Sequence, residues 1–147
     1  DRAQEILPEA VLLSMVATFD SLIADLIKVM LQETPEKYLS SKKKISVSDI
    51  LLFSSFEELL EKIIADEISS VMRDSHFEQI KFLEKNFNFE FPKSHARLGS
   101  FFEVFERRNL VAHGDQIVNE IYLKNGMNYS FDSSSLKVGD ILVFSYD

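Results

Sequence analysis

Cysteine and tryptophan are absent from this sequence, and only 4 glycines and 3 prolines occur in 147 residues. Without cysteine there is no disulfide, no thiolate metal site and no thiol nucleophile, which suits a reducing compartment. So little glycine and proline leaves scant material for a sheet with many turns, so helices are the expectation. No apolar run approaches the roughly 18 residues of a membrane span, and the first residues lack the layout of a signal peptide. We therefore expect a soluble cytoplasmic domain with no membrane partner. The chain opens on Asp1 rather than Met, which reads as a piece of a longer protein. Positive charge is scarce too: 16 Lys and Arg stand against 24 Asp and Glu, a net of −8. A polyanion is repelled by such a chain at long range, so broad nonspecific binding to nucleic acid is disfavoured while a local site is not.

What the chain does have is apolar mass, 46% of residues, including 13 Phe. That fills the core of one domain, residues 1–147. Residues 9–33 form a helical pattern in which Leu12, Val16, Phe19, Ile23, Leu26 and Met30 recur every three or four positions. Leu13, Leu22, Ile27 and Leu31 widen the stripe to half the circumference. Such a helix is either central to the core or meets the core on one side and a partner chain on the other. Thr34-Pro35 stops it, with a short turn to Leu39. Lys42-Lys43-Lys44 reads as a solvated loop.

Ser46-x-x-Asp49, Ser55-x-x-Glu58 and Ser75-x-x-Glu78 resemble capping boxes. They predict helices over 47–53, from 56 to about 72, and from 76 to 87. Asn88 to Pro92 is an extended link whose Phe residues plug the core. A helix capped by Ser94 follows, with Leu98, Phe101, Phe102, Phe105 and Ala112 on its apolar side. Gly114 falls where a helix ends, placing His113 in the last turn. Asp115 or Gln116 restarts helix as far as Lys124, and Gly126 closes it. The tail reads as two short strands, 127–131 and 136–144, around Ser133-Ser134-Ser135.

The chemistry concentrates at the end of the Phe-rich helix. Residues 94–113 carry three Arg against two Glu, a relatively positive spot in an acidic chain. Asn109 and His113 are four apart and share a face, so the amide can orient the imidazole. Arg107 lies four after Glu103, the favourable order for a helical ion pair, so Arg108 is the better candidate for chemistry. His76, His95 and His113 lack paired ligand spacing, so no metal is expected, and no Gly-x-Ser-x-Gly turn supports a serine nucleophile. No cofactor-binding loop is present.

Arg107-Arg108-Asn109, three residues, His113-Gly114-Asp115, then Val118-Asn119 and Tyr122 resembles the signature helix of the HEPN superfamily. The resemblance covers about residues 98–123. It implies an all-α HEPN-like helical bundle of about five to six helices, ending here in a small β hairpin or extended tail. Many members are metal-independent endoribonucleases of toxin-antitoxin and antiphage systems, with two motif helices facing each other in a homodimer. By that likeness Arg108, Asn109 and His113 are catalytic, Arg107, Asp115 and Asn119 contact RNA, and an antitoxin or regulatory partner joins the second copy and the RNA. Some relatives carry a modifiable Tyr two residues after the His; Asp115 occupies that position here, so that regulation is not expected. The alternative expectation is a noncatalytic module that dimerises or senses a ligand within a larger protein.

Overall fold

The computed structural model describes residues 2–38, 44–88, 90–91, 97–113 and 116–143, with side chains from residue 6 onward and not at 37–38. The expected Ser94 cap, Gly114, Asp115, Lys42, Lys43, Phe89, Pro92 and Phe144 lie outside them. The described residues are all-α, in the order α1 Arg2–Glu33, α2 Pro35–Tyr38, α3 Val47–Ile50, α4 Phe56–Val71, α5 His76–Phe87, α6 Leu98–His113 and α7 Glu120–Tyr129. The chain divides into two units, one of residues 1–19 with 92–147 and one of residues 20–91.

α1 begins at Arg2 rather than at residue 9 and continues through Pro8. Its buried line is Leu12, Val16, Ile23, Ile27 and Leu31, whereas Leu22 and Leu26, part of the same wide apolar stripe, are exposed. One 18-residue window of α1 reaches a mean hydropathy of 1.9 with only 22% of it buried, so by length and composition alone this helix could cross a membrane. The sequence reading missed this because Asp20 interrupts the run.

In the unit of residues 20–91, the three predicted caps set the helix starts. Asp49 N–H donates to Ser46 Oγ at 3.0 Å, Glu58 N–H to Ser55 Oγ at 3.2 Å, and Glu78 N–H to Ser75 Oγ at 3.3 Å, each satisfying an orphan donor of a first turn. α3 is shorter than expected, ending at Ile50 before turns that run to Phe53. Leu59, Ile64 and Val71 of α4 and Ile80 and Leu83 of α5 are buried, as the period of their apolar residues requires. His76 Nε2 lies 2.8 Å from Asp20 Oδ1. Asn88 ends α5 in the left-handed conformation at φ 52°, where asparagine is tolerated.

In the other unit α6 and α7 pack together. The Phe19 ring lies 5.8 Å from Phe101 and 5.1 Å from Phe105, and Phe102 lies 5.3 Å from Tyr129, a linked set of edge and tilted aromatic contacts. Leu110, Val118, Tyr122, Phe131 and Leu142 form a buried cluster beside it.

The C-terminal part departs from the sequence reading. α7 starts at Glu120, capped by Asn119, not at residue 115 or 116. It runs through Gly126, which is buried inside the helix rather than closing it. An added Cβ there would meet Ser133 Cβ at 3.0 Å and the Phe131 ring at 3.1 Å, so this glycine makes room for the returning chain. Ser130, at φ 61°, caps the helix instead, and Phe131 N–H donates to Gly126 O at 3.2 Å. Residues 127–129, expected as strand, are therefore the last turn of α7. No strand forms from the second run among the described residues. Lys137 to Asp140 turn sharply, with Asp140 N–H on Lys137 O at 3.1 Å and Gly139 at φ 97°, and only one bridge, Ile117 with Ile141, remains. Among the described residues of the tail no hairpin forms.

Candidate active site at the end of helix α6

α6 exists because Gly99, Phe102, Phe105, Glu106 and Leu110 fall on one face and are buried. That leaves Arg108 and Asn109 half-buried and His113 exposed on the last turn. The segment after it is held in place. Gln116, at φ 64°, donates its N–H to Leu110 O at 3.2 Å and its side-chain amide to Glu9 Oε1 on α1. Val118 N–H then reaches Asp140 O at 2.8 Å, and Leu142 N–H reaches Gln116 O at 3.0 Å. The tail thus pins the chain three residues past His113.

The two arginines have different surroundings. Arg107 donates to Glu103 Oε1 from Nε at 2.8 Å and Nη2 at 2.7 Å, the ion pair its spacing predicts. Tyr122 on α7 donates its hydroxyl to the same oxygen at 2.9 Å. Burial first, and then the hydrogen bond and charge of Glu103, push the Tyr122 phenol well above its ordinary range. Arg107 is thereby held on the carboxylate through which Tyr122 joins α7 to α6. Arg108 donates from Nη1 to Asn109 Oδ1 at 3.1 Å, and among the described residues it pairs with no carboxylate. A guanidinium so placed keeps donors for a phosphate.

The expected Asn109 to His113 hydrogen bond is not formed among the described residues; the amide oxygen accepts from the neighbouring guanidinium instead, a charge-assisted donor. Asn119, expected at the RNA, accepts from Tyr122 N–H at 2.9 Å as the cap of α7. The structure therefore brings Arg108, Asn109 and His113 to one helix end and gives Arg107 and Asn119 structural work. The part sequence reasoning missed is the Tyr122 hydroxyl on Glu103: the partners lie on different helices, and no local spacing signals them. Among the described residues no three of His, Asp and Glu gather closely enough to hold a metal ion. Comparison with protein-family models, with curated proteins and with solved structures gives no match.

Proposed function

We propose that this chain is a metal-independent endoribonuclease of HEPN type, cleaving RNA at a composite site completed by a second copy. The observation that carries this reading is the exposed His113 on the last turn of α6, with Arg108 five positions before it and held by an amide rather than a carboxylate. An imidazole open to solvent presents the ring nitrogens that giving and taking a substrate proton require. A guanidinium can hold a phosphate in two-point contact.

Cleavage without a metal needs a base at the ribose 2′-hydroxyl, an acid at the leaving 5′-oxygen and positive charge at the phosphorus. The 2′-oxygen attacks phosphorus as its proton leaves, the bond to the 5′-oxygen breaks, and that oxygen takes up a proton. The products carry a 2′,3′-cyclic phosphate and a 5′-hydroxyl. One imidazole cannot be base and acid in the same step, so two His113 across a two-fold axis share the work, with the two Arg108 on the phosphate. Asn109 steadies Arg108 in this scheme rather than the ring.

The test is cleavage of mixed RNA in EDTA by the wild type, His113→Ala and Arg108→Ala. Loss in both variants, with cyclic-phosphate ends in the wild type, supports the reading. Equal cleavage by all three removes it. A wild type that is inert under every condition tried would favour the noncatalytic dimerisation module, which the open apolar face of α1 also fits.

A further inference from the structure

The imidazole of His113 stands exposed on the last turn of α6, and among the described residues no hydrogen bond holds it. The Asn109 amide, four residues before it, is taken by Arg108. A ring without a side-chain partner reaches only where the backbone beneath it is aimed. Whatever fixes the last turn of α6 therefore fixes what the imidazole can meet.

Gln116 does that fixing. Three described residues other than glycine take left-handed backbone, Asn88, Gln116 and Ser130. Asn88 and Ser130 are the caps of α5 and α7, where this conformation recurs. Gln116, at φ 64°, instead stands three residues past the end of α6. Glycine takes that conformation without a steric cost that any Cβ brings, so the turn alone does not call for a glutamine. Strain of this kind persists only where the surroundings hold it, and it gathers at functional sites. Here three polar groups of Gln116 reach three different parts of one unit. Its N–H donates at 3.2 Å to Leu110 O, among the last carbonyls of α6, which lack a partner within the helix. Its carbonyl accepts from Leu142 N–H at 3.0 Å. Its side-chain amide donates to Glu9 Oε1 on α1, a carboxylate acceptor that is half-buried, as Gln116 itself is. Such a bond is stronger than one between neutral groups.

We propose that Gln116 is a positioning residue for His113. Anchored on Glu9, its side chain sets the last turn of α6 against α1, and so sets the direction in which the imidazole meets its substrate. The backbone bonds of Gln116 serve the fold and are open to any residue that accepts the left-handed conformation; the bond to Glu9 is what the glutamine adds. This inference rests on the ribonuclease reading above.

Gln116→Gly keeps the backbone conformation and its two bonds and removes only the link to Glu9. In the intact chain, kcat for RNA cleavage should fall about tenfold, because small errors in placing a reacting group are costly, while KM and Tm stay near the wild-type values. Amide hydrogen exchange over residues 110–113 should quicken while that of residues 101–106 does not. Glu9→Ala should lose as much, and the double variant no more than either single change, as two partners in one bond require. Gln116→Lys, which keeps a donor for Glu9, should recover most of kcat. A Gln116→Gly protein as active as the wild type overturns the positioning role and leaves the ribonuclease reading standing. Additive losses in the double variant, or a loss of kcat that follows a lowered Tm, overturn the positioning role in the same way. A wild type that cleaves no RNA removes both, whatever the exchange shows.

Discussion

Tyr122 and Arg107 meet on a single oxygen, Glu103 Oε1, the hydroxyl at 2.9 Å and the guanidinium at 2.7 Å. The carboxylate is therefore a junction between α6 and α7, and its neighbours divide into those that hold the fold and those left for chemistry.

Tyr122→Phe removes one hydrogen bond to a charged acceptor while leaving Glu103 with Arg107. The expected loss is about 1–2 kcal/mol of unfolding free energy, read from urea titrations at pH 7.

The same phenol makes stability depend on pH. Its folded value is raised above the ordinary one, so the unfolded chain gives up this proton first. The contribution is fully present below about pH 10 and is lost as pH rises further toward the folded value. Urea midpoints from pH 8 to 11 should fall more steeply for the wild type than for Tyr122→Phe.

Arg107 and Arg108 should fail differently when truncated. Arg107→Ala leaves the largely buried Glu103 carboxylate without its cation and should cost roughly 1–3 kcal/mol of stability. Arg108→Ala breaks only a bond to its neighbour, so its denaturation curve should shift by less than about 0.5 kcal/mol while cleavage falls on the order of a hundredfold. Paired denaturation and cleavage measurements check this; the opposite assignment of effects would exchange the two roles.

Asn119→Ala loses the cap of α7 and should cost about 1 kcal/mol, with Asn119→Ser recovering most of it. If Asn119 instead contacts RNA, Ser will restore melting but not substrate affinity, which a binding titration at fixed salt separates.

Gly99→Ala tests how closely α6 passes the end of α7. Helix propensity alone favours alanine by about 1 kcal/mol. A Cβ at residue 99 would nevertheless lie 2.8 Å from the Ser130 carbonyl carbon and 3.1 Å from Phe131 Cα, backbone that cannot rotate aside. Overpacking of that kind costs typically 1–3 kcal/mol, so we expect net destabilisation in thermal melts.

The elements read best from sequence were those with a local mechanism. Ser55 and Ser75 announced α4 and α5 because a cap bonds an N–H three residues on, and the Phe period announced α6. Arg107 was assigned to Glu103 from spacing alone, and the structure agrees. The tail was misread because Gly126 looks like a stop in isolation, whereas its missing side chain serves packing by residues that come later in the chain. Composition told α1 to be half apolar but not which half the core would take. Asn109 turned to Arg108 rather than His113, a contact that helical spacing does not favour and that the long arginine stem makes possible.

The pairing of residues 116–118 with 139–142 ties the segment that follows α6 to residues more than twenty positions later in the sequence. Leu142 and Asp140 fasten the strap that begins just past the imidazole, so proteolytic clipping near Leu136 would loosen it without touching Arg108 or His113. A cut there would free residues 116–118 from the backbone partners that fix the direction in which the chain leaves α6.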